Sequence, residues 1–185
     1  VLRLRYRLDG QEERVTRDFL LNGHPDGIIN IIDATNLERN LYLTLQLIEI
    51  QIPMVLALNM MDEVRANGSS IRVEELSEKL GIPVVPISAA KNEGIETLIE
   101  TAVSTVRAKA QPKVYDFCQS GPIHRCIHAV SHILEDHADR AGISRRFAAT
   151  KMVEGDEDVS ARLQPGENEL EMIEHAVTEM EHEYG

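Results

Sequence analysis

The stretch PMVLALNMMD, residues 53–62, decides the fold class of this 185-residue chain. Its first six residues are apolar, which suits a strand buried on both faces of a sheet, and polar Asn59 and Asp62 follow. Similar runs occupy residues 28–32, where only Asn30 is polar, and 83–87, and each is also followed by a small polar residue. Amphipathic patterns separate the three runs. This alternation predicts βαβ units built around a parallel sheet.

Helical periodicity indicates where the crossovers lie and where the alternation stops. Apolar residues recur at helical spacing over 12–21, with Val15, Phe19 and Leu20 expected to face inward, and over 37–51, 73–80 and 95–106. Beyond residue 108 only helix patterns remain, over 122–137, 144–153 and 169–183. We therefore predict an α/β fold, a partial parallel sheet with flanking helices, in residues 1–108. A linker over 109–113 and a small all-helical domain over 114–185 complete the prediction.

Charge and hydropathy exclude several classes of function. The net charge of −12 repels nucleic-acid phosphates, so we expect no nucleic-acid partner. The longest run without a polar residue, 52–58, is far shorter than the roughly 18 residues of a membrane helix, so we expect a soluble chain. Two cysteines without a CxxC spacing suit a reducing cytoplasm. Residues 154–185 carry 11 acidic side chains and one Arg, so the acidity belongs to the end of the chain.

Polar residues at the ends of the second and third predicted strands are the candidate binding site, because ligands of open α/β sheets bind at the carboxyl ends of strands. The Asp62 carboxylate can accept two parallel hydrogen bonds, which suits the ring N–H and exocyclic amine of guanine. The loop Ser88-Ala89-Ala90, 26 residues after Asp62, brings small residues whose backbone N–H groups can approach a carbonyl oxygen. Helix capping is the alternative for Asn59 and Asp62 taken alone. The order of the two motifs favours guanine recognition by Asn59, Met60, Met61, Asp62, Ser88, Ala89 and Ala90.

Several longer strings resemble one family of GTPases. The segment at 12–15, the string DATNLERNLYLT at 33–44 and NMMD at 59–62 are similar to the G domain of the bacterial ferrous iron transport protein B (FeoB) family. RRFAATKMVEGD, at 145–156, resembles part of that family's helical domain, which is described as similar to a guanine-nucleotide-dissociation inhibitor. The resemblance implies a P-loop-GTPase-like sheet, binding of GTP or GDP with Mg²⁺, and coupling to Fe²⁺ uptake. It also implies a membrane domain as partner, at the cytoplasmic side of the bacterial inner membrane.

Two motifs of a working GTPase have no counterpart in these 185 residues. No GxxxxGK[ST] string occurs, and Val1 and Leu4 stand where the resemblance places the Asp and Gly of a DxPG motif. We therefore predict guanine-edge recognition without catalytic residues or Mg²⁺ ligands in this chain, and interpret it as a fragment of a longer protein. The alternative is a non-catalytic regulatory module that works through its helical domain. An uncovered sheet edge would favour a homo-oligomer.

Two further groups of residues in the helical part each allow two interpretations. His124, His128 and His132 recur every four residues on one predicted helix, beside the apolar positions, and suit either a solvated flank or a metal site. Arg145 and Arg146 begin the next predicted helix and suit either exposed charge or docking against another domain.

Overall fold

The computed structural model describes residues 11–118 and 120–184. Clustering of contacts divides them into two compact units: residues 25–117, and the described residues before 25 together with those from 118 onward. The positions assigned by resemblance to the DxPG motif, Val1 and Leu4, lie outside the described residues. In chain order the helices and strands are α1 (Gln11–Gly23), β1 (Ile28–Asp33), α2 (Leu37–Glu49), β2 (Met54–Asn59), α3 (Met61–Ala66), α4 (Val73–Leu80), β3 (Val84–Pro86), α5 (Ile95–Arg107), α6 (Pro122–Ile133), α7 (Glu135–Ala141), α8 (Arg145–Glu154), α9 (Glu157–Leu163) and α10 (Glu167–Tyr184).

The first unit is a three-stranded parallel sheet with helices against it, which confirms the predicted fold class. Its strand order is β1-β2-β3, and each predicted strand falls within two residues of an observed one. The central strand β2 is buried along residues 54–58, as its uninterrupted apolar run requires. Val55 and Ala57 of β2 pack with Val85, Ile87 and Leu98, while Ile95 and Ala102 of α5 close the cluster.

The pattern of residues 28–32 predicts that both faces of β1 are buried, and this prediction is wrong. Ile29 and Ile31 are 48% and 60% exposed. They pair in register with Val55 and Ala57 and therefore share the face on which α5 lies. Ile99 of α5 is 55% exposed. Among the described residues α5 lies over β2, so the part of this face that belongs to β1 is left uncovered.

Gly94 allows a close approach between the start of α5 and the end of β3. Its φ is +75°, and a Cβ at this position would lie 2.4 Å from the Pro86 carbonyl oxygen. We expect Gly94→Ala to lower the free energy of unfolding by about 2–4 kcal/mol, because a left-handed residue costs about 1–2 kcal/mol and the clash adds overpacking. Urea denaturation of both proteins measures this difference.

Gly68→Ala is the matched control for that substitution. Gly68 has a φ of +70°, but a Cβ there would meet no atom within 4 Å, so the control carries only the backbone cost. We expect it to lose about 1–2 kcal/mol. Equal losses for the two variants would show that the contact with Pro86 contributes nothing.

The second unit is entirely helical in its described residues, as predicted for residues 114–185, and it also contains α1, which the prediction had placed within residues 1–108. Its core is apolar and is formed mainly by α6, α8 and the helices beside them. The most deeply buried side chains, all with exposures of 2% or less, are Val130, Leu134, Ala138, Phe147, Ala148, Ala149, Val159 and Leu163. None of the helices in the part that the structure describes is long and apolar enough to cross a membrane.

Three expectations for the helical unit are wrong. The single helix predicted over 122–137 is two helices, because Leu134 leaves helical geometry at φ −95° and ψ 6°. Phe19 of α1, expected to face inward, is 64% exposed, whereas Leu20 is buried as predicted. Arg146 is not exposed charge: its side chain is buried and donates to the Cys118 sulfur at 3.2 Å.

Other polar residues in this unit form ion pairs and hydrogen bonds that connect neighbouring helices. Arg145 pairs with Asp139 at 2.6 Å and with Glu135, which ties the start of α8 to α7. Arg162 of α9 donates to the Leu21 carbonyl oxygen at 2.9 Å and to the Asn22 side chain at 2.7 Å. These two bonds hold the end of α1 against α9.

Candidate functional site

The candidate site lies where β2 and β3 end side by side. Because the two strands are parallel neighbours, the residues that follow them emerge at the same edge of the sheet. The Asn59 side-chain oxygen accepts a hydrogen bond from the Ala89 N–H at 3.0 Å. This bond joins residues 30 positions apart and ties the two loops together.

Met60, a residue with left-handed backbone angles, sets the direction of the second half of the NMMD motif. Met60 has φ 67° and ψ 26°, which turns the chain from β2 directly into α3. The Met61 N–H then donates to the Ile87 carbonyl oxygen at 3.2 Å, and the Met61 side chain is buried below the loop. Asp62 therefore lies in the first turn of α3, where a carboxylate is favoured by the helix dipole. The Met60 side chain remains 36% exposed beside it.

The Asp62 carboxylate lies in an environment that favours its ionised form. The Ser88 hydroxyl and then Lys91 lower the pKa of Asp62 from its ordinary value, against the opposing effect of partial burial. Lys91 Nζ lies 3.4 Å from Asp62 Oδ2. The Ser88 oxygen influences this carboxylate from nearby but outside hydrogen-bond geometry: it is buried and has no hydrogen-bond partner within the described residues. The site thus holds a carboxylate and an unused hydroxyl side by side.

All seven residues singled out from the sequence lie at this edge, but they are not equivalent. Met61 is buried and supports the loop from beneath. The Ala89 N–H is engaged by Asn59, and Ala90 follows it in the single helical turn 89–91. Both alanines are exposed, as small residues beside a ligand must be.

Two contacts at the edge were not among the sequence-derived candidates. Lys91 follows the Ser-Ala-Ala string directly, so its position in the motif was a usable signal. The second contact is an ion pair of 2.5 Å between Arg65 of α3 and Glu93, which joins the segments that follow β2 and β3. No local sequence pattern predicts this ion pair, because its two residues are 28 positions apart.

Metal-ligand geometry is absent from this edge. No group of three or more His, Cys, Asp or Glu side chains in the described part of the chain is arranged to hold a metal ion. The carboxylate of Asp33, at the end of β1, accepts hydrogen bonds from the Thr35 N–H at 2.8 Å and from the Thr35 hydroxyl at 2.6 Å. It therefore caps the turn that follows β1.

Comparison with known families identifies the chain. A family model described as "Ferrous iron transport protein B" matches residues 5–102, more than half of the sequence. The chain belongs to the FeoB family. A second model, "FeoB cytosolic helical domain", matches residues 120–185. The FeoB resemblance drawn from the motifs is thereby confirmed, together with the G-domain sheet and the helical domain that it implies.

Curated relatives and solved structures agree with this assignment. The Fe(2+) transporter FeoB of Escherichia coli (strain K12) is 35% identical over 156 residues, and that of Salmonella typhimurium (strain LT2) is 36% identical over 156. Each alignment covers 84% of this chain and 19% of the relative, so the chain spans about a fifth of their length.

Among solved structures, NFeoB from S. thermophilus bound to GDP.AlF4⁻ and K⁺ superposes with a TM-score of 0.85 at 37% identity. That match covers 94% of this chain and 66% of the S. thermophilus chain. A mutant form of the same protein bound to GMPPNP gives a TM-score of 0.85 at 36% identity, with the same coverage.

Proposed function

We propose that this chain is the guanine-recognising cytosolic portion of an Fe²⁺ transporter, and that Asp62, Asn59 and the loop 88–90 bind the base of GTP or GDP. The observation that carries the proposal is the ionised Asp62 carboxylate beside a loop that Asn59 holds in place through the Ala89 N–H. The S. thermophilus NFeoB structures with bound guanine nucleotides support it.

The chemistry of the edge suits guanine and disfavours adenine. The two oxygens of Asp62 accept from the guanine ring N–H and exocyclic amine, a donor pair that adenine lacks. In this proposal a backbone N–H of the loop 88–90 donates to the guanine carbonyl oxygen. Met60, exposed beside Asp62, offers an apolar and polarisable surface to the flat face of a base.

Lys91 competes with the base in the free protein. Its ammonium pairs with Asp62 at 3.4 Å, and guanine must replace part of this interaction. Lys91 is 57% exposed, so its charge regains water readily when the base enters. Ser88 and then Lys91 lower the pKa of Asp62 and so favour its ionised form.

The proposal does not extend to binding of the nucleotide phosphates or Mg²⁺ by this chain. A GTPase holds them with a GxxxxGK[ST] loop and an Asp from a second motif, and neither string occurs in the 185 residues. We therefore assign base recognition, and not hydrolysis, to this chain taken alone. No step of the proposal uses Mg²⁺.

The wider role of the parent protein follows from the family. We propose that it couples GTP binding to Fe²⁺ uptake through a membrane domain at the cytoplasmic face of the bacterial inner membrane. The β1 edge, with Ile29 and Ile31 exposed beside it, favours association with a second copy of this chain.

Nucleoside titration of the isotope-labelled chain tests base recognition directly. We expect guanosine to shift the backbone amide signals of Asp62, Ala89 and Ala90, and adenosine to bind at least about tenfold more weakly, because a matched pair of hydrogen bonds is worth about 1–3 kcal/mol. Equal responses to the two nucleosides would refute guanine recognition at this edge.

Calorimetry with GDP tests the second part of the proposal separately. We expect no binding in the micromolar range or tighter, since charge-assisted contacts to phosphate are the strong ones and this chain lacks the loop that makes them. Micromolar affinity would show that the chain binds phosphates by other residues.

A further inference from the structure

The histidine row of α6 lies on a solvent-facing side of the helical unit. Ile127 and Val130 of the same helix are buried in the core, whereas His128 and His132 are exposed. His124 is half-buried. Exposed imidazoles add little to core packing, so burial does not account for His128 and His132. These two histidines have their rings close together.

Ring separations distinguish the two neighbouring pairs in this row. The centroids of His128 and His132 are 4.7 Å apart with the planes at 71°, whereas those of His124 and His128 are 6.2 Å apart at 29°. A metal-bound imidazole nitrogen lies about 2.1 Å from the ion, which puts each ring centroid about 3.2 Å from it. Two such rings at about 90–110° around the ion have centroids about 4.5–5.2 Å apart. The pair His128–His132 falls in this window, and His124–His128 does not.

We propose that His128 and His132 form a two-histidine chelate for a divalent transition cation such as Ni²⁺, Cu²⁺ or Zn²⁺. Neutral imidazole suits these borderline cations, whereas Mg²⁺ and Ca²⁺ prefer oxygen ligands. No set of three or more His, Cys, Asp or Glu ligands forms within the described residues, so water fills the remaining positions. The site is therefore open and exchangeable, in contrast to a closed structural site.

A carboxylate beside the pair supports binding of a cation. Glu135 Oε2 lies 3.9 Å from His132 Nδ1, and Glu135 also pairs with Arg145 of α8. The arrangement leaves this carboxylate outside the ligand set but next to the cation. Its charge is shared with Arg145, and at 3.9 Å it is close enough to attract a cation or an imidazolium without a hydrogen bond to the ring.

Calorimetric titration of the untagged chain with Ni²⁺ at pH 7.5 tests the site, with Mg²⁺ as the second cation. We expect one equivalent of Ni²⁺ to bind and Mg²⁺ not to bind at the same concentration. His128→Gln and His132→Gln should each weaken Ni²⁺ binding at least about tenfold, because each removes one of two protein ligands. All the substituted side chains are exposed or at the helix surface, so the variants should fold normally.

Two matched controls locate the site. His124→Gln removes the third member of the row, and His175→Gln removes an exposed histidine of α10; both should bind Ni²⁺ within about twofold of the unaltered chain. A loss in His124→Gln equal to that in His132→Gln would overturn the assignment to the second pair. Unchanged affinity in both His128→Gln and His132→Gln would overturn the site altogether.

Paramagnetic broadening gives a readout that does not depend on affinity. Substoichiometric Ni²⁺ should broaden the ring proton signals of His128 and His132 before those of His137, His175 and His182. Uniform broadening of all the histidine signals would overturn the proposal, because it would indicate weak binding spread over the surface.

Discussion

Replacing Asp62 with Asn is expected to invert the base preference of the site from guanosine to xanthosine. The amide offers one acceptor and one donor in place of two acceptors, so it matches the ring N–H and the carbonyl oxygen that xanthine carries where guanine has its amine. Loss of one matched pair and gain of the other, each worth about 1–3 kcal/mol, changes the ratio of the two affinities by about 30-fold or more. Amide shift titrations with both nucleosides measure this ratio.

Glu63→Gln is the control for the same loss of charge. Glu63 follows Asp62 in the first turn of α3 but is exposed, and it should leave the preference for guanosine unchanged. If Asp62→Asn and Glu63→Gln altered the affinity ratio equally, the effect would come from net charge. Guanine would then be read by some other group.

Replacing Phe147 with Ala should produce the largest loss of stability in the helical unit. Phe147 is 2% exposed in α8, and Lys151 Nζ lies 5.9 Å from the centre of its ring. Truncation removes the buried ring and leaves a cavity, which costs about 3–5 kcal/mol for a Phe in a core. The buried ammonium of Lys151 also loses the aromatic face beside it, although it keeps Glu154 at 2.7 Å.

Urea unfolding, followed through the amide signals of α6 and α8, measures this loss in the unit that contains the substitution. Met172→Ala in α10 is the control: Met172 is 56% exposed, and its truncation should cost no more than about 0.5 kcal/mol. A midpoint for Phe147→Ala close to that of the control would mean that the core around α8 tolerates a cavity.

The strands and long helices were predictable because each carries a local signal. The run at 53–58 is apolar without interruption, and β2 is accordingly buried along its length. Helix α5 was predicted within one residue from its apolar spacing. By contrast, α3 and α9 have six and seven residues, too few for helical periodicity to be visible. The break at Leu134 also carries no Gly or Pro that would have indicated it.

Exposure was the property that sequence patterns predicted least well. Ile29, Ile31 and Phe19 are apolar at positions that suit burial, yet they face solvent in the described structure. Arg146 is charged and buried. Apolar spacing identifies the side of an element that can be buried, but whether another element covers that side depends on segments distant in the chain.

By itself, the sequence determined the class of the fold and singled out the two strand ends that we propose as the guanine site, because apolar periodicity and motif order are local properties. Only the tertiary structure decided which contacts each residue at those strand ends makes. It commits Asn59 to the Ala89 N–H, places Lys91 against Asp62 and buries Met61. It also distinguishes His128 and His132 from His124 by the distance between their rings. Such distinctions follow from rotamers and from contacts between residues far apart in the chain, which spacing alone does not specify.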